Sequence, residues 1–147
     1  MKLHTLIGLV TAAMVFATCG KSKFSSTPIL TFKKVSTTLV PSNGSVLFTF
    51  EFTDAEGDIS DSIGIKKISS SCAQAGYIDT AKYQFPSIPQ SDDTKGTLTI
   101  NLTYPNLKPT RCFGGDTIEQ ATFRFWIKDK AGHISDTADA PAITIKK

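Results

Sequence analysis

The most regular stretch of this 147-residue chain reads VLFTFEFT from Val46 to Thr53, and its pattern determines the class of fold. Large apolar side chains occupy every second position, and polar side chains occupy most of the positions between them. A period of two places alternate side chains on opposite faces of a β-strand. The stretch Phe123–Lys128 repeats the alternation, with phenylalanine and isoleucine on one face. Both stretches therefore predict strands that are buried on one face.

Five further segments have the composition of strands, and turn signals separate all of them. The seven predicted strands are Ile29–Val40, Val46–Thr53, Ile63–Ser70, Ile78–Phe85, Thr97–Tyr104, Phe123–Lys128 and Ala142–Ile145. Between them lie segments rich in Asp, Asn, Gly and Pro, and no stretch shows a convincing helical period. Seven short strands at this spacing are typical of an immunoglobulin-like sandwich, with a partly open barrel as the alternative.

The N-terminal segment predicts export and a lipid anchor. Residues 1–18 carry an early Lys2, an apolar run from Leu6 to Ala17 and small residues just before Cys19. This is the layout of a secretory signal peptide, and the run is shorter than the roughly 20 residues that span a bilayer. The tetrapeptide Phe16-Ala17-Thr18-Cys19 resembles the lipobox of bacterial lipoproteins, which implies cleavage before Cys19 and acylation of its thiol. The alternatives are an ordinary signal peptide and a short core helix with a buried cysteine.

The rest of the chain has the length of one domain. We predict a signal peptide over 1–18, a lipidated cysteine and tether over 19–28, and a single domain over 29–147. The fold class is thus all-β, a seven-stranded immunoglobulin-like sandwich after a cleaved N-terminal signal peptide. The 16 basic and 13 acidic residues nearly balance, and the basic ones form no arginine-rich stripe. This distribution argues against nucleic acid as a partner.

Two cysteines remain once Cys19 is assigned to the lipid. An even number in an oxidising compartment predicts a disulfide between Cys72 and Cys112. On the chain-entropy argument such a bridge would stabilise the fold by about 4 kcal/mol. In an immunoglobulin-like sandwich the end of the third strand and the connection before the sixth lie at the same pole, so the pairing is feasible. The alternative is a reactive thiol, but no activating neighbour is evident for either cysteine.

Two segments resemble a known group of proteins. The segment Phe50–Ile59 is similar to the strand and acidic loop of many immunoglobulin-like lipoproteins of Bacteroidetes, and Phe125–Asp136 resembles the closing strand pair of bacterial immunoglobulin-like or fibronectin type III-like domains. The resemblance implies a lipoprotein of the cell envelope, anchored to the outer membrane, that binds, spaces or scaffolds. The segment Gly20–Lys23 is basic, whereas members sent to the outer face often carry an acidic run there. The choice between the periplasmic and the surface face therefore stays open.

Acidic loops form the candidate metal site. The segments Asp54–Asp61 and Asp129–Asp136 share Asp, Gly, Ile, Ser and Asp in register, and each follows a phenylalanine-rich strand. In an immunoglobulin-like sandwich these two connections lie at the same pole, where Asp92 and Asp93 should join them. Calcium takes six to eight oxygen ligands and would offset the repulsion of like charges. The candidate ligands are Asp54, Glu56, Asp58, Asp61, Asp129 and Asp136. The alternative is that Asp and Gly serve only the geometry of turns.

The outward face of the sixth strand is the second candidate site. Trp126 stands there between Arg124 and Lys128. An exposed indole can stack on a sugar ring or contact another envelope protein. The alternative is a surface tryptophan that neighbouring long side chains cover.

Residue types argue against an enzyme. His133 is the one histidine of the predicted mature chain, and both remaining cysteines are assigned to a disulfide. Beyond the presence of the residue types, nothing therefore indicates a Cys-His or Ser-His-Asp set. A pair of carboxylates can in principle serve a glycosidase, but a small sandwich with short loops offers little cleft. We predict a non-catalytic structural or ligand-binding module. A carbohydrate-binding or glycan-processing accessory protein of an outer-membrane uptake system is the alternative.

Overall fold

The structure is a computed structural model that describes residues 23–59, 62–70, 78–86, 94–110 and 117–147. The elements in these ranges are β1 (Ile29–Val35), β2 (Leu39–Val40), β3 (Ser45–Asp54), β4 (Ser62–Ser69), β5 (Ile78–Gln84), β6 (Thr94–Thr103), α1 (Tyr104–Leu107), β7 (Ile118–Lys128), β8 (Ala138–Asp139) and β9 (Ile143–Lys146). The predicted all-β class is confirmed. The first predicted strand is divided into β1 and β2, and a short additional strand, β8, precedes the last one.

The strands form two sheets. The three-stranded sheet has the order β1-β3-β6, and the six-stranded sheet has the order β2-β9-β7-β4-β5, with β8 paired to β7. All neighbours are antiparallel except β2 and β9, which are parallel. The chain therefore changes sheets between Val35 and Leu39. The arrangement is a sandwich of immunoglobulin-like type and not a closed barrel.

The core lies between the sheets and uses the alternating positions of β3 and β7. Phe48 and Phe50 are fully buried on β3, as is Phe125 on β7. The ring centroid of Phe125 lies 5.0 Å from that of Phe48 and 4.7 Å from that of Phe50. Aromatic pairs of this kind add about 0.5–1.5 kcal/mol each beyond the burial of their area. A slip of one residue would turn these rings into solvent, so the phenylalanine pattern determines the register of both strands.

The β3–β4 and β7–β8 connections meet at one end of the sandwich, as predicted. The backbone carbonyl of Asp58 accepts the N–H of Lys130 at 3.2 Å. The chain also enters the domain here, because the carbonyl of Ser25 accepts the N–H of Ala55 at 3.0 Å. We call this end, which comprises residues 54–58 and 129–133, the acidic pole.

Several sequence predictions fall outside the described residues. The signal peptide, Cys19, Asp61, Asp92, Asp93, Cys72 and Cys112 all belong to this group. The signal peptide, the lipid anchor and the disulfide therefore stay predictions. Within the described ranges, no helix has the length and hydropathy needed to cross a membrane.

The described residues next to the two cysteines lie close together at the end opposite the acidic pole. The N–H of Ser70 donates to the carbonyl of Gln120 at 2.9 Å. The N–H of Thr110 donates to the carboxylate of Glu119 at 2.7 Å. Ser70 and Thr110 each precede a cysteine by two residues, and both are held by adjacent positions of β7. The pairing of Cys72 with Cys112 itself stays a prediction, because both cysteines lie outside the described residues.

Candidate functional site

Three of the six predicted metal ligands come together at the acidic pole. One carboxylate oxygen from each of Asp54, Glu56 and Asp58 lies within 4.8 Å of the other two. Asp54 is fully buried at the end of β3, Asp58 is half-buried, and Glu56 is exposed. We call these three residues the acidic cluster. Among the residues that the structure describes, no other group of three or more such side chains is arranged to hold a metal ion.

The local sequence explains why this loop draws its carboxylates together. The Oδ2 atom of Asp54 accepts the backbone N–H of Asp58 at 3.1 Å, which closes the turn. Gly57 has a φ angle of 62°, in the left-handed region that glycine adopts without steric penalty. Ile59 is fully buried directly after the turn and fixes its exit. The turn therefore holds the cluster in place against the mutual repulsion of its charges.

Burial and neighbouring charges leave the acidic cluster electrostatically unsatisfied. Desolvation is the largest cause that raises the pKa of Asp54, and the charges of Asp58 and Glu56 act in the same direction. Backbone hydrogen bonds from Asp58 and Gly57 act in the opposite direction. The Oδ1 atoms of Asp54 and Asp58 are buried, and no described residue donates a hydrogen bond to either of them. A buried polar atom without a partner typically costs about 1–3 kcal/mol.

Asp129 and Asp136 do not join the acidic cluster, which corrects the six-residue ligand set expected from the sequence. The Oδ1 atom of Asp129 accepts the backbone N–H of His133 at 2.7 Å, and its Oδ2 atom lies 2.8 Å from the Nδ1 atom of His133. Both oxygens thus serve their own turn. Asp136 is exposed beside a separate recess of about 240 Å³ that Ser25 and Pro28 also line. The similarity of the two loops therefore reflects shared turn chemistry more than a shared ligand set.

His133 places a titratable group beside the acidic cluster. Its hydrogen bond with Asp129 is the largest cause that raises the pKa of His133, and the charge of Asp129 adds to it. Glu56 and Asp58 contribute in the same direction, while desolvation opposes the shift. The histidine and the acidic cluster are therefore close enough to interact across the two loops.

The outward face of β7 is an aromatic and basic surface. Trp126 is half-buried, with its indole over Gly64 of β4, where an added Cβ would come within 1.9 Å of the ring. Gly64 pairs with Lys82 of β5 on its other side, so Lys82, Gly64 and Trp126 form one row across three strands. The next row contains Lys66 and Arg124. We call the surface formed by Lys66, Lys82, Arg124, Trp126 and Lys128 the basic face.

Arg124, Trp126 and Lys128 alternate along β7 with buried side chains and so lie on its outward face, and the strand register adds Lys66 and Lys82 to that surface. Arg124 forms an exposed ion pair with Asp139, with its Nε atom 3.2 Å from Oδ1. Lys66 and Lys82 were not among the sequence candidates, because only the strand register shows that they share a face with Trp126. A glycine inside a strand is a signal for close approach of another group, and Gly64 provided that signal.

The sequence candidates also omitted a buried ion pair toward the opposite end of the sandwich. The Nζ atom of Lys67 lies 2.8 Å from the Oε1 atom of Glu119, with 4% and 0% of the two side chains exposed. Lys67 also donates to the carbonyls of Leu107 and Lys108 at 2.9 and 2.7 Å. The pair therefore ties the segment after β6 to the six-stranded sheet. The alternation of Ile63, Ile65 and Lys67 along β4 is the signal that indicates an inward lysine.

Comparisons with known proteins assign no family to this chain. No family model matches it, and no curated protein matches it. Distantly similar solved structures include the sporulation control protein Spo0M from Bacillus subtilis, with a TM-score of 0.47 and 8% identity over 84% of this chain and 51% of that chain. A Niemann-Pick type C2 protein from Japanese carpenter ant has a TM-score of 0.42 and 7% identity, over 86% and 98% of the two chains.

A β-glucosidase from Listeria innocua, solved with gluconolactone, has a TM-score of 0.43 and 10% identity over 82% of this chain and 16% of that chain. This chain spans about half the length of the Spo0M structure. Similarity at these levels transfers no function. What the protein does must therefore be argued from its own residues.

Proposed function

We propose that the protein is a lipoprotein of the cell envelope, anchored to the outer membrane through Cys19, that acts as a non-catalytic structural or ligand-binding module. The Phe16–Cys19 motif behind a short apolar run is the observation that carries this proposal. Two or three acyl chains would hold the domain stably, because each buried methylene contributes about 0.8 kcal/mol. The resemblance to immunoglobulin-like lipoproteins of Bacteroidetes supports the same assignment.

Metabolic labelling with an alkyne-tagged palmitate tests the anchor. The wild-type chain should carry the label and sediment with membranes, and Cys19→Ala should lose both properties. Globomycin, which inhibits lipoprotein signal peptidase, should make the precursor of the wild-type chain accumulate. A variant in which Cys72 and Cys112 are both replaced by Ser is the matched control and should keep the label. Labelling that survives in Cys19→Ala, or processing that globomycin leaves unchanged, would contradict the proposal.

The basic face favours a second, compatible function, the binding of an acidic glycan. The indole of Trp126 over Gly64 provides an aromatic platform on the surface of the sheet. Sugar rings stack on such platforms, and lysine and arginine pair with carboxylate groups. Lys82 lies two strands from Trp126 in the same row, which corresponds to about 10 Å at a strand spacing of about 4.8 Å. A chain of uronic acids that crosses the strands can therefore contact the ring and the lysine together.

Titration calorimetry with alginate oligosaccharides tests this second function, with uncharged dextran oligosaccharides as the ligand control. Alginate should bind and dextran should not. The Lys82→Gln variant should weaken binding several-fold and reduce its dependence on salt, because one charge pair is lost. The matched control is Lys95→Gln, which removes an exposed lysine of β6 on the other sheet. Equal affinity for the two glycans, or equal effects of the two variants, would rule out the basic face as the site.

A further inference from the structure

The acidic cluster has a feature that the turn alone does not require. Within the turn, the Oδ2 atom of Asp54 accepts the N–H of Asp58. The Oδ1 atom of Asp54, on a residue with 0% exposure, is left without a donor among the described residues. The Oδ1 atom of Asp58 is buried and lacks a donor in the same way. Buried carboxylate oxygens are normally paired, hydrogen-bonded or bound to a metal, so these two atoms are suited to contact a cation.

We propose that the acidic cluster of Asp54, Glu56 and Asp58 binds one calcium ion. Calcium–oxygen distances are about 2.3–2.6 Å, so two oxygens on opposite sides of one ion are about 5 Å apart. The limit of 4.8 Å between the carboxylate oxygens of the cluster fits within that span. Each of the three residues can supply one ligand, and the exposure of Glu56 leaves room for water to complete six to eight positions.

The chemistry of the donors favours calcium over other common metals. All three side chains offer oxygen, which hard cations prefer, whereas zinc sites in proteins mostly use histidine and cysteine. The imidazole of His133, the one histidine among the described residues, already has its Nδ1 atom on Asp129. Magnesium demands a strict octahedron at about 2.0–2.1 Å, while calcium tolerates the irregular set that one short turn provides.

Calcium binding would tighten the contact between the two loops of the acidic pole. The carbonyl of Asp58 already accepts the N–H of Lys130, so a ligand that orders Asp58 also orders the start of the β7–β8 connection. The neighbouring Ala55 holds the entering chain through Ser25. The ion therefore acts as a structural element at the end of the sandwich where the tether joins it. This role is independent of the ligand at the basic face.

Calcium titration of the full-length processed protein in detergent tests the proposal, with EGTA-treated samples as the starting point. Calorimetry should give one site with a Kd of about 10⁻⁴–10⁻³ M, the range of extracellular calcium modules. Calcium at 10 mM, about ten or more times that Kd, should raise Tm by several degrees, and EGTA should reverse the rise. Magnesium at the same concentration should have a smaller effect.

Three variants and one control identify the ligands. Asp54→Asn and Asp58→Asn should each weaken calcium binding at least tenfold and remove most of the Tm rise. Glu56→Gln changes an exposed side chain, so this variant should fold normally and still weaken calcium binding several-fold. If the two buried variants fail to fold, Glu56→Gln alone tests whether the cluster binds calcium. The matched control, Asp139→Asn, removes an exposed carboxylate outside the cluster and should bind like the wild type. The proposal is overturned if the wild type shows no binding at 10 mM calcium, or if Glu56→Gln and Asp139→Asn bind equally well.

Discussion

Replacement of Lys67 by Met removes one partner of the buried ion pair without opening a large cavity. The Nζ atom of Lys67 lies 2.8 Å from the Glu119 carboxylate and also donates to the carbonyls of Leu107 and Lys108. Methionine has a similar unbranched stem and loses only the ammonium group with its donors. Among the contacts described, the variant leaves the buried Glu119 carboxylate with the N–H of Thr110 as its hydrogen-bond donor.

The expected loss in the free energy of unfolding is about 3–5 kcal/mol, because the buried carboxylate of Glu119 loses its cationic partner. In a domain of this size about 1 kcal/mol corresponds to roughly 4 °C in Tm, so Lys67→Met should melt about 12–20 °C lower. Addition of Glu119→Leu removes the stranded charge. The double variant should therefore be more stable than Lys67→Met alone.

Thermal and urea unfolding followed by circular dichroism measures these differences. The chain supplies a matched control in Lys66, which is next to Lys67 but points to the opposite, solvent-facing side of β4. Lys66→Met should change the free energy of unfolding by no more than about 0.5 kcal/mol. A difference of less than about 1 kcal/mol in the free energy of unfolding between the two methionine variants would contradict this expectation, as would a further loss of stability when Glu119→Leu is added to Lys67→Met.

Three other predictions concern the sheet surface, the acidic pole and the opposite end of the sandwich. Gly64→Ala should push the indole of Trp126 off the sheet and destabilise the fold by about 1–3 kcal/mol. The fluorescence emission of this one tryptophan should then shift to the red, and an unchanged emission maximum would count against the prediction. NMR titration should give His133 a pKa above 6.5. The stability that follows from this raised pKa is fully present below about pH 6.5 and is lost as pH rises through the folded-state pKa. The difference in stability between wild type and His133→Gln should therefore shrink from pH 6 to pH 8, and a constant difference would contradict it. Mass spectrometry of the oxidised protein should show a Cys72–Cys112 bridge whose reduction lowers stability by up to about 4 kcal/mol; free thiols in both positions would exclude it.

The core residues could be predicted from the sequence because the alternating pattern that marks them lies within single strands. The alternation of Phe48, Phe50 and Phe52 specifies a strand with one buried face, whatever the strand packs against. The change of sheet between β1 and β2 was not predictable in this way. Both halves of Ile29–Val40 have strand-like composition, and only the parallel pairing of Leu39 and Val40 with β9 separates them.

The same distinction applies to the candidate sites: residues close in sequence could be predicted to lie together, whereas residues that only the fold brings together could not. Asp54, Glu56 and Asp58 lie within one turn, so their proximity follows from the sequence. The exclusion of Asp129 depends on a hydrogen bond that its own turn makes with His133, which a comparison of sequence segments does not detect. Lys66, Lys82 and Gly64 join Trp126 only through the register of three strands, and that register is a property of the folded sheet.

The hydrogen bond between Ser25 and Ala55 limits the height of the domain above a membrane. An extended chain reaches at most about 3.6 Å per residue, so with Cys19 lipidated as proposed, Ser25 lies within about 20 Å of the lipid surface. Trp126 precedes Asp129 of the acidic pole by three residues of strand, or about 10 Å. The basic face therefore begins within roughly 30 Å of the headgroups. On so short a stalk, the proposed lipoprotein would meet polymers that lie along its own membrane and would not reach those that extend far beyond it.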